Sequence, residues 1–277
     1  MLDDIILNAL KEDIGNGDHT SLSCLSTSDV GAAKLLVKEP GILAGVEVAK
    51  RVFQLHDSSL DVKVFIEDGN EIRVGDIVLE VTGSAISILS TERLVLNMMQ
   101  RMSGIASKTN KIVNQIAHTD AKILDTRKTT PGIRLLEKMA VVVGGGCNHR
   151  FGLYDMIMLK DNHIDYAGGI HSAMTKTLQY VSTLEKPIAI EIEVRTKAEL
   201  LEAIEIGGMQ RILLDNFMPE ELTDLVGLIP EAIESEASGG ITEESIVAYA
   251  ETGVDYISMG ALTHSVKSLD LSLKARF

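Results

Sequence analysis

From residue 123 to the end, short apolar runs alternate with helical patterns, and this constrains the fold more than any other feature. ILDT precedes PGIRLLEKMAVVV, MIMLK precedes GGIHSAMTKTLQYV, and IAIEIEV precedes TKAELLEAIEIG. RILLDN, AIESEAS and YISMG lead in the same way into PEELTDLVGLI, TEESIVAYAETG and a last helical piece. Such βα alternation builds a parallel sheet covered by helices. The runs are apolar almost throughout, as strands buried on both faces are. Polar groups gather at their C-terminal ends: Asp125-Thr126-Arg127-Lys128, Lys160-Asp161-Asn162-His163, Glu193, Asp215-Asn216, Ser238-Gly239-Gly240 and Gly260. In an α/β barrel those ends converge on one face, which favours a barrel over a doubly wound sheet. Six such units leave a complete eight-stranded barrel unassured. No GxGxxG follows a strand, so nothing points to a dinucleotide.

The first 90 residues read differently. KLLVK (34–38), VKVFI (62–66) and IVLEVTG (77–83) pattern as strands, and GVEVAKRVFQLH (45–56) as a helix. The DGNEIRVGD turn chemistry between two of the strands completes a small α+β domain. A long helix is expected over about 92–117, with Leu94, Met98, Met102, Ile105, Ile112 and Ile116 at helical spacing. Ser90 or Thr91 is the expected cap, and Ser103-Gly104 the expected kink or break.

Charge then narrows the chemistry. The chain carries a net charge of -14, which argues against a nucleic-acid partner. No apolar run is long enough for a membrane span, and the acidic N-terminus does not read as a signal peptide. Cys24 and Cys147 form no disulfide or metal framework and suit a reducing, cytoplasmic setting. Against this acidic background, residues 122–160 hold Lys122, Arg127, Lys128, Arg134, Lys138, Arg150 and Lys160 and only Asp125, Glu137 and Asp155. Arg127, Lys128, Arg150 and Lys160, joined by His149, fall at strand ends or loops. That set suits a small, highly anionic ligand, because guanidinium groups grip carboxylates in pairs of charge-assisted bonds.

The later ends have the opposite sign. Glu193 and Asp215 close apolar strands, where a carboxylate needs a cation, a metal or ribose hydroxyls beside it. Mg²⁺ binds through one or two carboxylates plus substrate phosphates. Ser238-Gly239-Gly240 and Met259-Gly260-Ala261 each precede a helical pattern, an arrangement suited to phosphate. The Gly144-Gly145-Gly146 run demands either a close backbone approach or a mobile loop. Lys160 taken alone also admits a Schiff-base role, although the surrounding cations favour electrostatic binding.

The stretch ILDTRKTTPGIRLLEKMAVVVGGGCNHRFGLYDMIMLKDNHI (123–164) closely resembles the quinolinate phosphoribosyltransferase family. EDIGNGDHTS, ERLVLNMMQRMSGIAS, EIEV, LLDNF, EASGGI and DYISMGALTHS are similar to family segments in family order. The resemblance implies an N-terminal α/β sandwich domain with its linking helix (1–108) and an incomplete, about seven-stranded α/β barrel (109–277). The C-terminal tail is free to pack back on the first domain. It implies quinolinate and phosphoribosyl pyrophosphate as substrates, Mg²⁺ as cofactor, and a homodimer or an assembly of dimers. By motif match, Arg93, Arg127, His149, Arg150 and Lys160 meet the quinolinate carboxylates, with Arg93 supplied across the subunit interface. Thr126 and Lys128 join the substrate set, with Lys128 reaching the phosphoribosyl pyrophosphate. Glu193 and Asp215 serve the ribose and metal end, and the Ser238–Gly240 and Met259–Ala261 turns take phosphate. The interval from Glu193 to Asp215 departs from the family by one extra residue near Gly207-Gly208. Two rival readings are a same-fold relative phosphoribosylating another anionic acceptor, such as the molybdenum-associated ones, and a barrel lyase using Lys160.

Overall fold

The structure, a computed structural model, describes residues 1–276. The chain opens with helices α1 (Leu2–Ile14) and α2 (His19–Cys24). Strands β1 (Val30–Val37) and β2 (Gly41–Ile42), helix α3 (Val46–His56), and strands β3 (Asp61–Val64), β4 (Glu71–Ile72) and β5 (Ile77–Ser84) follow. The long helix α4 (Ala85–Gln115) leads to β6 (Lys122–Leu124) and α5 (Arg134–Val143). Next come β7 (Met156–Leu159), α6 (Asp161–Ala167), α7 (Ile170–Val181), β8 (Ala189–Val194) and α8 (Lys197–Ile206). The chain ends with β9 (Arg211–Asp215), α9 (Pro219–Val226), β10 (Glu234–Ser238), α10 (Ile246–Ala250), β11 (Tyr256–Ser258), α11 (Ala261–His264) and β12 (Leu271–Arg276).

The chain divides into two compact units. The first takes Met1–Asn110, Lys128–Gly145 and the stretch from Leu262 onward; the second takes Lys111–Arg127 and Gly146–Ala261. The first unit holds a four-stranded antiparallel sheet in the order β12-β1-β5-β3. On β1, Ala33, Leu35 and Val37 alternate inward and are buried, the period-two pattern of a sheet with one covered face. The last strand pairs with the first, Leu273 opposite Leu35 and Leu271 opposite Val37.

Helix α4 begins at Ala85, earlier than the expected cap. Strand β5 runs directly into it, and Ile88 is already buried. Thr91 is therefore inside the helix, where its hydroxyl donates to the carbonyls of Ser87 and Ile88. Ser103-Gly104 does not interrupt it either. The Ser103 hydroxyl exchanges hydrogen bonds with the Ala44 backbone, and a Cβ on Gly104 would lie 2.3 Å from the Lys267 carbonyl oxygen. Both residues are there for close packing. Gly144 answers the same need, since a Cβ there would lie 2.5 Å from the Ala106 carbonyl oxygen.

The second unit holds a six-stranded parallel sheet in the order β6-β11-β10-β9-β8-β7. The order follows the chain from β7 to β11 and then returns to β6, the first strand. A doubly wound sheet reverses its order at a switch point; this one circles back, as a barrel does. Cys147 adds a seventh position by bridging to Leu124 in parallel. The unit is thus an incomplete α/β barrel. Ile190, Ile192, Ile212, Leu214 and Ile257 are buried on its strands, which explains their near-continuous apolar sequence.

Candidate active site

The C-terminal strand ends of the second unit bring the basic groups together. Beyond β6, Asp125 is fully buried. Its side chain accepts the His149 backbone N–H at 2.8 Å, and its own N–H donates to the Cys147 carbonyl at 3.1 Å. Asp125 thereby fixes the strand end that carries Arg127 against the segment that carries His149 and Arg150. The Arg150 guanidinium donates to the Met156 carbonyl at 3.2 Å. Burial pushes the Arg150 pKa down, and the nearby Arg127 charge pushes it further the same way. Two guanidiniums close enough to repel each other form a place where an anion is stabilised.

Opposite charges gather on the next strands. Lys160 caps β7 and stands 3.8 Å from Glu193 on β8, with its side chain 46% exposed. Burial raises the Glu193 pKa; Lys160 opposes the shift and the charge of Asp215 adds to it. Glu193 and Asp215 therefore share one electrostatic neighbourhood at the ends of adjacent strands. Asn216, in the left-handed region at φ 60, donates its side-chain amide to Asp215. Gly239 makes room for this, because a Cβ there would lie 2.3 Å from the Asn216 side-chain oxygen.

The helices that follow the two turns expected to take phosphate are short. Helix α10 starts at Ile246 and has 5 residues, and α11 has 4. Neither short helix supplies the summed peptide dipole expected beside Ser238-Gly239-Gly240 or Met259-Gly260-Ala261. What those turns offer is backbone N–H groups, reached through Gly239 and Gly240 at φ 98 and φ 62. Arg93 and Lys128 fall in the first unit. Arg93 is exposed on α4, as is Asn97 one turn later, while Leu94, Val95 and Met98 are buried.

The structure adds groups that the sequence reading did not single out. Glu191 and Glu236 are fully buried, and Arg211 nearly so. His149 Nε2 lies 3.0 Å from Glu191 and 3.5 Å from Glu236. Its Nδ1 accepts the Arg150 backbone N–H at 2.6 Å, which places the ring proton on Nε2, facing the carboxylates. Arg211 reaches Glu236 at 3.1 Å and Glu234 at 2.8 Å. His149, Glu191 and Glu236 could in principle hold a metal, but the Arg211 guanidinium already supplies a cation there. The available signal was the IEIE alternation on β8, which sends Glu191 and Glu193 to the same face.

Burial and the Glu191 charge push the Glu236 pKa up to about 7. A carboxyl with a raised folded pKa binds its proton more tightly when folded. It stabilises the fold fully below its unfolded value of 4.5, and that contribution is lost as pH rises through about 7. The wild-type melting temperature is therefore expected to fall more steeply between pH 5 and 8 than that of Glu236→Gln, measured by scanning calorimetry across that range. Parallel curves would show that Glu236 is not the titrating group.

The description "Quinolinate phosphoribosyl transferase, C-terminal domain" matches residues 105–274, and its N-terminal counterpart matches 18–103. The chain belongs to the quinolinate phosphoribosyltransferase family. It is 47% identical to the probable nicotinate-nucleotide pyrophosphorylase [carboxylating] of Bacillus subtilis, over 95% of this chain and 89% of that protein. It is 45% identical to a quinolinate phosphoribosyltransferase [decarboxylating] of Nicotiana tabacum, described as mitochondrial, over 96% of this chain and 80% of that protein. The crystal structure of NadC from Streptococcus pyogenes superposes with a TM-score of 0.93 at 40% identity, covering 99% of this chain and 95% of the other. The extra residue noted against the family falls at Gly207-Gly208, between α8 and β9. That is the N-terminal side of β9, so both carboxylates keep their places at strand ends.

Proposed function

We propose that the chain transfers a phosphoribosyl group from phosphoribosyl pyrophosphate to quinolinate, releasing pyrophosphate and carbon dioxide and forming nicotinate mononucleotide for NAD biosynthesis. The observation that carries this reading is the division of charge on one barrel rim. The charge of Arg127 acts on Arg150, and the charge of Asp215 acts on Glu193, which Lys160 approaches to 3.8 Å. A pyridine dicarboxylate needs the first, and a ribosyl cation needs the second.

The pyridine nitrogen attacks C1 of the ribose as pyrophosphate departs. Glu193 and Asp215 offset the positive charge that develops on the sugar. Arg127, Arg150 and Lys160 hold the carboxylates and so orient the nitrogen. His149, turned toward the buried carboxylates, sets the backbone at Arg150. The carboxylate beside the nitrogen then leaves as carbon dioxide, its electron pair stays on the ring carbon where the pyridinium charge stabilises it, and a proton from solvent adds there to give nicotinate mononucleotide. Thr126 and Lys128 serve the phosphoribosyl pyrophosphate, and the Ser238–Gly240 and Met259–Ala261 backbones serve its phosphates. Two neighbouring carboxylates fit a Mg²⁺ that takes its other ligands from substrate phosphates; Glu193 and Asp215 would hold it, and it would supply charge against the departing pyrophosphate.

The acceptor tests the reading. With phosphoribosyl pyrophosphate and Mg²⁺ present, quinolinate should be converted and nicotinate should not, because nicotinate lacks one of the two carboxylates. Preference for nicotinate, or for neither, would overturn it. Borohydride trapping of substrate on Lys160 would instead favour a Schiff-base lyase.

The assembly completes the site. The reading includes a homodimer with two shared sites, in which Arg93, exposed on α4, reaches a neighbouring copy's quinolinate. Arg93→Ala and Lys128→Ala homodimers should each be nearly inactive. Mixed under subunit exchange, they should regain activity, since one site in each heterodimer carries neither lesion. Verified exchange without regained activity would confine Arg93 to its own chain. Among the described residues, no helix is long and apolar enough to cross a membrane. The free thiols, Cys24 exposed and Cys147 half-buried, fit a reducing, cytoplasmic setting.

A further inference from the structure

The segment that carries Lys128 is a loop between β6 and α5, and a loop on its own does not hold a cation in place. Its anchoring is visible within the first unit. Glu137, on the first turn of α5, is fully buried. It reaches back to accept the Thr130 backbone N–H at 3.0 Å and the Thr130 hydroxyl at 2.9 Å. A lone buried carboxylate would be costly, but Arg101 on α4 neutralises it with bonds of 3.0 Å and 2.7 Å. The same guanidinium donates to the carbonyls of Thr263 and Val266. Thr263, also fully buried, donates its hydroxyl to the Lys128 carbonyl at 2.9 Å.

These contacts form a closed circuit. It runs from Arg101 to Glu137, from Glu137 to Thr130, along the loop to Lys128, from Lys128 to Thr263, and back to Arg101. The loop is gripped on both sides of Thr129. Charge is balanced within the circuit, and every contact in it is a hydrogen bond with defined direction. Apolar packing alone would allow the loop to slide.

We propose that Glu137, Arg101 and Thr263 are positioning residues for phosphoribosyl transfer, setting the backbone from which Lys128 meets phosphoribosyl pyrophosphate. The inference rests on the function proposed above. Thr263→Val keeps the shape and removes the bond to Lys128, whereas Thr263→Ser keeps that bond. Thr263→Val should lower kcat/KM for phosphoribosyl pyrophosphate about tenfold, the scale of one hydrogen bond, with the melting temperature lowered by about a few degrees and the fold retained. Thr263→Ser should restore wild-type values. Glu137→Ala should speed hydrogen exchange at the Thr130 amide by about tenfold or more as its acceptor is lost, while Glu137→Gln should retain most of the protection.

The exchange readout judges the circuit without any turnover, so failure of the functional reading would appear separately, as a wild-type enzyme inactive on quinolinate. Thr263→Val with wild-type kinetics would overturn the proposal. So would Glu137→Ala that stays folded and leaves Thr130 exchange unchanged. If Glu137→Ala does not fold, the Thr263 pair alone decides: an equal loss in Val and Ser would reject the hydroxyl bond as the cause.

Discussion

Asp215→Asn is expected to lower kcat by about two orders of magnitude, the scale associated with removing a preorganised group that faces a developing charge, while leaving quinolinate affinity nearly unchanged. Asp215 ends β9 beside Glu193, whose pKa it raises, so the two carboxylates concentrate negative charge in the place proposed for the ribosyl cation. Asn has the same shape but no charge. It retains an oxygen that can accept the Asn216 amide, so the Asn216–Gly239 packing survives. Steady-state kinetics with both substrates varied, together with calorimetric titration of quinolinate, separate the two quantities. Near-normal turnover would contradict the assignment of Asp215 to the ribose end. A matching loss of quinolinate affinity would contradict the division of the rim into two ends.

Lys160→Ala is expected to produce the reverse pattern. Quinolinate affinity should fall by about 10-fold to 100-fold, because a charge-assisted hydrogen bond is worth about 1.5–3 kcal/mol. The lower part of that range is expected, since the Lys160 side chain is 46% exposed and solvent screens it. Lys160→Arg, which keeps the charge but changes its shape, should recover part of the affinity. Unchanged affinity of Lys160→Ala in calorimetric titration would remove Lys160 from the carboxylate site.

The barrel was legible because its signal is repeated. Each βα unit pairs an apolar run with a helical pattern, and polar groups recur at the same end of each run. The structure places Arg127, Arg150, Lys160, Glu193 and Asp215 at or just beyond those ends. Single positions were less legible, and for identifiable reasons. Thr91 looked like a helix cap because threonine caps well, but β5 feeds straight into α4 and Thr91 bonds backward within the helix. Ser103-Gly104 looked like a break because glycine is a poor helix former, yet tertiary contacts require both residues. The turn at Gly260 enters a helix as expected, α11 from Ala261, although one of only 4 residues, whereas α10 starts only at Ile246, well beyond Gly239-Gly240.

Glu236, Glu137 and Arg101 were illegible as a matter of physics. A charged residue in a strand or helix reads as solvent-facing until its partners are known. These partners come from distant parts of the chain. Glu236 meets Arg211 across adjacent strands, and Glu137 meets Arg101 across 36 residues of sequence. Residue spacing predicts which face a side chain takes; it does not predict which buried charge waits there.

The central claim is that transfer and decarboxylation occur on one substrate in one site. Quinolinate labelled in the carboxylate beside the ring nitrogen, incubated with phosphoribosyl pyrophosphate, Mg²⁺ and the purified protein, measures this directly. Equal amounts of labelled carbon dioxide, pyrophosphate and nicotinate mononucleotide are expected throughout the reaction. Pyrophosphate released without carbon dioxide, or a nucleotide product that keeps the label, would contradict it.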